Sequence, residues 1–265
     1  MAKNGLALAA GGVKGFAHVA VLKFLEELNF EIDVITGSSA GSIVAALYAL
    51  YGNWKKVLKE FSEAVDEFLP SFKSRAERLE GTNLWSIFQR SLVKVEEYYP
   101  FFKKLFGKKK FSDCNINLGV AVFDITELNS FLITEGFLVD AVMASSSVPG
   151  VFEAVWIAGD QMVDGGVIAH TPVREVRNLG AEFVIASTFK KSVHNLPKDQ
   201  MDLMFYIDSW KEEEIKQHDL SLADIIIEHS PFVEWYEFEK YERVFEAAVK
   251  SIEERRKEVE FIIRR

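Results

Sequence analysis

The sequence predicts a three-layer α/β/α sandwich with a mostly parallel central sheet and an inserted helical cap. Three observations predict it. Short apolar runs of strand length recur along the chain, some of them cut off by glycine. Stretches with helical apolar spacing alternate with them, the order expected of βαβ units whose strands run parallel. The chain has 265 residues, 49% apolar and 27% charged, enough to bury one sizeable core at ordinary globular composition.

Residues 6–10 read as a buried strand ended by Gly11 and Gly12. Ala17, Ala20, Val21, Phe24, Leu25 and Leu28 then share one helical face. Residues 32–36 form a second, β-branched strand; a turn over 37–41 follows at once, and residues 43–50 continue as an alanine-rich helix. Residues 53–112 are charged, aromatic and helical in period without a convincing strand, and form the expected cap. Strands return at 118–123 and 130–134, and a helix over 137–145 stops near Val148-Pro149. Two short strands, 154–158 and 161–163, flank Gly159-Asp160; helix 174–179 and buried strand 183–187 follow. Phe238, Tyr241, Phe245, Val249, Ile252, Val259 and Ile263 keep helical spacing in a charged background, predicting a C-terminal helix over 234–264. No repeat or linker interrupts this order, so a single domain over 1–265 is expected.

The bulk properties exclude several classes. A net charge of −9 argues against nucleic acid as the main partner. Lone Cys114 rules out an intramolecular disulfide and a cysteine-built zinc site, and reads as a free core thiol. No uncharged apolar run reaches the ~18 residues of a membrane span. The apolar start at residues 5–10 is shorter than a signal-peptide core of ~7–15. A soluble, cytoplasmic protein is the default expectation.

Three short motifs carry chemistry. In Gly37-x-Ser39-x-Gly41 the serine would sit on a strained strand-to-helix turn, the pattern of a nucleophile elbow. Gly37 and Gly41 leave room for crowded backbone, and the helix N-terminus favours the negative charge that develops on attack. Tight turns also recruit Gly and Ser. What distinguishes this one is the strand before it and the helix after it.

The loop Gly11-Gly12-Val13-Lys14-Gly15 has two functional readings, beside that of a plain strand-to-helix turn. As a phosphate cradle it would bind a dinucleotide at a helix N-terminus. As an oxyanion hole its N–H groups would hold a tetrahedral intermediate. The first fits poorly: Ala10 stands where glycine is wanted, Asp33 lies at the start of the second strand, and no Gly-Lys-Ser/Thr triplet follows. The second reading gains from the Ser39 turn, since adjacent parallel strands place both loops at their carboxyl ends.

Ser39 needs a base. The candidates include His18, His170, His194, His218 and His229. A Ser-His-Asp triad of the α/β-hydrolase kind would use His170 or His194, but that fold places several strands before its elbow and here only two precede it. Asp164, in Val163-Asp164-Gly165-Gly166-Val167, ends an apolar strand. A carboxylate with a pKa of ~4 is a weak base, yet it serves when held against the hydroxyl and partly desolvated. An Asp-Gly turn is the structural alternative.

Together, Gly-Gly-x-Lys-Gly (11–15), Gly-x-Ser-x-Gly (37–41) and Asp-Gly-Gly (164–166) resemble the patatin-like phospholipase family. The resemblance extends through residues 17–22, Ala144-Ser145-Ser146-Ser147-Val148-Pro149 with Phe152, and Thr171-Pro172-Val173, covering roughly residues 5–190. It implies a Ser–Asp dyad with Ser39 as nucleophile and Asp164 as acid/base, and an oxyanion hole around Gly11, Gly12 and Val13. The implied chemistry is hydrolysis of phospholipid or lysophospholipid esters through an acyl-serine, without metal or cofactor. One departure stands out: the family often has asparagine shortly after Asp-Gly-Gly, where Ala169-His170 stand here. A non-enzymatic nucleotide- or partner-binding module built on the glycine loop is the remaining alternative.

The stretch 98–111 is aromatic and basic, with Lys103, Lys104, Lys108, Lys109 and Lys110 among Tyr and Phe. It reads either as a peripheral membrane contact in the headgroup zone or as core aromatics with lysines reaching outward. A helix this short rarely anchors alone.

Overall fold

The structure is a computed structural model and describes residues 3–79, 93–190, 196–230 and 233–263. Strand β1 (Asn4–Leu8) leads through a 3-10 turn (Gly12–Gly15) into α1 (Phe16–Glu27), and β2 (Val34–Ser38) breaks directly into α2 (Ala40–Tyr51). Helices α3 (Trp54–Leu79) and α4 (Val95–Phe106) follow. Then come β3 (Asn117–Asp124), β4 (Asn129–Ile133), α5 (Leu138–Ser145), β5 (Val155–Ile157) and β6 (Asp160–Asp164). The chain closes with α6 (Val173–Asn178), β7 (Phe183–Phe189), α7 (Gln200–Leu220), β8 (Ile225–His229) and α8 (Tyr241–Ile263).

The strands form one sheet: β3, β2, β1, β7 and β8 lie side by side in that order, β4 pairs with the other edge of β3, and β6, with β5 beside it, pairs with β3 past the end of β2. The four central pairings (β3–β2, β2–β1, β1–β7 and β7–β8) are parallel; β4, β5 and β6 join antiparallel. Helices cover both faces, and the pleat sorts the side chains. Leu6 and Leu8 point into the large cluster with α1 and α2, while Ala7 between them faces Val173, Val176 and Leu220 on the other side. Burial on both faces is why β1 and β2 read as continuous apolar runs rather than alternating ones.

The inserted helices extend the layer formed by α1 and α2. Phe61 of α3 stacks on Phe16 of α1 with ring centroids 4.2 Å apart, and Val57, Ala64 and Val65 are buried beside it. Tyr98, Phe101, Phe102, Leu105 and Phe106 of α4 are buried too, and Lys103, Lys104, Lys108, Lys109 and Lys110 are exposed. The aromatic half of the basic stretch is therefore core. Residues 80–92 of the expected cap lie outside the described residues.

One detail of register positions the site. Residues Val120 and Ala121 of β3 pair with both β2 and β4, so those strands lie on opposite edges of β3. Val122, Phe123 and Asp124 pair with both β4 and β6, so β6 shares an edge with β2. Ser38 is opposite Ala121 and Asp164 is opposite Val122. Two strands running toward each other thus end head to head along one edge, which brings residue 39 to residue 164.

Candidate active site

Ser39 joins β2 to α2 with φ 51 and ψ −124, a left-handed conformation that a non-glycine residue holds only under constraint. Its N–H donates to Ser145 Oγ at 2.9 Å, and its carbonyl accepts from the N–H and Oγ of Ser42 at 2.9 and 2.6 Å. The first turn of α2 presses on the end of β1 so closely that a Cβ on Gly41 would lie 2.3 Å from the Leu8 carbonyl oxygen. Glycine is required there by close approach.

Asp164 is the last residue of β6. Its N–H donates to the Ser147 carbonyl at 3.0 Å and its Oδ1 accepts from Gly166 N–H at 2.7 Å, and the Ser39 side chain lies near enough to its carboxyl to lower its pKa. Both residues are buried, Ser39 at 7% exposure and Asp164 at 4%. Desolvation pushes the Asp164 carboxyl up to about 7; the nearby Ser39 side chain and the Gly166 N–H bond counter this only in part, and Glu212 adds to the rise.

The glycine loop closes a third side. Ala10 N–H donates to the His170 carbonyl at 2.8 Å, and Gly15 packs against Ala40, next to the serine. Gly12 has φ 56, and a Cβ there would lie 2.2 Å from the Trp235 carbonyl oxygen. That same carbonyl accepts from Val13 N–H at 2.9 Å. Of the three donors expected for the hole, the one on Val13 is already engaged, by a residue that no sequence signal pointed to. Lys14 is desolvated, which lowers its ammonium pKa, with Glu234 opposing.

The described histidines bond elsewhere. His18 lies 2.7 Å from Ser187 Oγ and 2.9 Å from the Ala9 carbonyl oxygen; His229 lies 3.2 Å from Ser187 Oγ. His170 reaches Thr171 Oγ1 at 3.4 Å, and burial pushes its imidazole down to about 4 with Lys216 assisting. His218 bonds Arg174. His194 lies outside the described residues. Among the described residues no group of three or more His, Cys, Asp or Glu side chains is placed to hold a metal ion. None of the described helices is long and apolar enough to cross a membrane.

A strained serine at a strand-to-helix turn, set on a mostly parallel sheet beside a buried carboxyl, places the chain among α/β proteins with a serine elbow. The family model described as patatin-like phospholipase matches residues 6–177, well over half of the chain, and the chain belongs to that family. The lysophospholipase NTE1 of Debaryomyces hansenii is 29% identical over 195 residues, covering 69% of this chain and 11% of that protein. The lysophospholipase NTE1 of Pyricularia oryzae is 25% identical over 236 residues, covering 83% of this chain and 14% of that protein. This chain therefore spans a small fraction of the curated relatives it matches. Among solved structures, VipD from Legionella pneumophila superposes with a TM-score of 0.51 at 12% identity, over 96% of this chain and 67% of that one. At that identity the likeness concerns the fold alone.

Proposed function

We propose that the chain is a serine acyl-ester hydrolase working through a Ser39–Asp164 dyad on lipid carboxyl esters, with lysophospholipids or phospholipids as the natural class. The observation that carries this is the head-to-head meeting of β2 and β6 on one edge of β3, which sets the buried Asp164 carboxyl, pushed up to about 7, beside the turn that holds Ser39. A base tuned near the operating pH takes a proton effectively and can return it. Asp164 removes the Ser39 proton as Oγ attacks the ester carbonyl. The oxyanion faces the N–H groups of Gly11 and Gly12, joined by Val13 once Trp235 yields. The proton then passes from Asp164 to the departing alcohol, leaving an acyl-Ser39. Water, deprotonated by the same carboxylate, attacks the acyl carbon; the acid leaves and the proton returns to Ser39.

Family membership and the lysophospholipase relatives support the substrate class. Among the described residues nothing favours the triad reading, since the His170 ring bonds Thr171. The exposed lysines of the 103–110 stretch offer charge, while Tyr98, Phe101, Phe102 and Phe106 are buried in the core, so contact with an anionic lipid surface would rest mainly on charge and weaken steeply with salt. Intact-mass analysis after treatment with a fluorophosphonate is the test. One adduct mapping to Ser39, with fatty acid released from lysophosphatidylcholine, is expected. An unlabelled chain whose melting temperature rises with nucleotide would instead favour a binding module.

A further inference from the structure

We infer that residues 145–147 are the positioning element of this site, and that Tyr98 of the inserted helix is its outer anchor. The inference rests on the Ser39–Asp164 reading and adds residues that touch neither the substrate nor the reacting atoms.

Both backbones of the dyad hang on this one short segment at the end of α5. Ser145 Oγ accepts the Ser39 N–H at 2.9 Å, and the Ser147 carbonyl accepts the Asp164 N–H at 3.0 Å. The spacing of hydroxyl and carboxyl is therefore set through three consecutive residues rather than through two independent loops. The first bond matters most, because Ser39 holds φ 51 against its own preference. Its amide is buried with it, and without an acceptor that N–H would be orphaned or would turn away.

The segment is itself tied down. Ser146 and Ser147 N–H groups donate to the Val142 and Ala144 carbonyls at 3.1 Å each. Ser147 Oγ lies 2.8 Å from the Met143 carbonyl oxygen and 3.1 Å from Tyr98 Oη, and Tyr98 Oη lies 2.7 Å from the Glu153 carbonyl oxygen. The two carbonyls can only accept, so two hydroxyl hydrogens serve three contacts and the bonds are shared. Ser145 and Ser147 are 0% exposed and Tyr98 2%, so water does not substitute for a lost partner without rearrangement. A residue of the insertion thus braces the carboxyl end of the dyad.

The full chain is assayed with a soluble short-chain nitrophenyl ester, and rates are expressed per fluorophosphonate-labelled site so that misfolded protein does not count. Ser145→Ala should lose about tenfold to a hundredfold in kcat with KM within about twofold, and label correspondingly slowly. The pH midpoint of kcat should rise by a few tenths of a unit, since Ser39 moves away from the carboxyl whose pKa it lowers. Ser145→Cys, of similar volume and with a weak sulfur acceptor, should fall between the two; it carries the same readout if the alanine protein does not fold. Tyr98→Phe should lose a few-fold in kcat. Its pH midpoint should rise too, because a looser carboxyl loses part of the Ser39 influence that lowers its pKa. Rates per labelled site within twofold of wild type in the Ser145 and Tyr98 variants, with the adduct on Ser39, overturn the inference alone. An adduct on another residue overturns the dyad reading itself.

Discussion

Two buried polar clusters flank β1, and they differ in what the fold asks of them. On the β7 and β8 side, His18, Ser187 and His229 form a chain with fixed hydrogen directions. The Ala9 carbonyl only accepts, so His18 Nε2 carries the hydrogen and Nδ1 accepts from Ser187; Ser187 Oγ then accepts from His229 Nε2. Burial pushes these imidazoles down to about 4 and about 3, so both are neutral at neutral pH. Only His229 Nδ1 lacks a partner. On the β2, β3 and β6 side, the same depth of burial holds a left-handed serine and a carboxyl pushed up to about 7. Burial is common to both. What separates them is strain and an ionisation poised near neutrality, the marks of a site that acts rather than one that only holds.

The comparison breaks most sharply on activity. Ser39→Ala and Asp164→Asn should each lower kcat at least about a thousandfold, because members of one catalytic unit fail together. His18→Ala should leave the rate per labelled site within about threefold. A His18 variant as dead as the serine variant would erase the distinction.

Stability should run the other way. Between pH ~4 and ~7 the native Asp164 keeps a proton that the unfolded chain releases, so its contribution is present at low pH and is lost as pH rises through the folded pKa. Asp164→Asn removes that loss and should stabilise the protein at pH 8 relative to pH 4 by on the order of 2–4 kcal/mol, read by denaturant unfolding at both pH values. For His18 the sign is reversed. Its folded pKa is depressed, so the unfolded chain binds the proton first on acidification, and stability falls as pH drops below ~6.5. His18→Ala should cost about 1–3 kcal/mol at pH 7 through the orphaned Ser187 and Ala9 groups, and should flatten that acid limb.

Much of this was legible before any coordinates. The strands around Ser39 and Asp164 announce themselves because they are buried on both faces and end in glycine, so apolar runs and their stops mark the element ends within a few residues. Helix α7 and strand β8 gave no such signal. Among the described side chains of α7, Leu203, Met204, Ile207, Trp210 and Ile215 are all exposed, so these five mark no buried face. β8 carries the short apolar run Ile225-Ile226-Ile227, but charged Asp224 and Glu228 bound it where β1 and β2 run into glycine, and Ile226 is half-exposed. At the site, motif spacing picked out Ser39 and Asp164, which the strand register brings toward each other, but not the residues around them. Ser145 and Ser147 stood out only as part of a family pattern, since a hydroxyl accepting a distant backbone N–H leaves no periodicity. The Trp235 carbonyl on Val13 is a main-chain contact that any residue type could make.

The smallest expected effect bears on the residue that stands where the family often has asparagine. His170→Ala should change kcat less than about threefold and leave its pH midpoint unmoved. The imidazole, pushed down to about 4, is uncharged near pH 7, so removing it takes no charge from the neighbourhood of Asp164. The bond that ties residue 170 to the glycine loop is made by its carbonyl to Ala10 N–H and survives the substitution. What is lost is a 3.4 Å contact with Thr171, whose hydroxyl also bonds Thr188 at 3.1 Å. A thousandfold loss in this variant, by contrast, would mean that the histidine and not the carboxylate handles the serine proton, and Asp164 would lose the role that sets its cluster apart from that of His18.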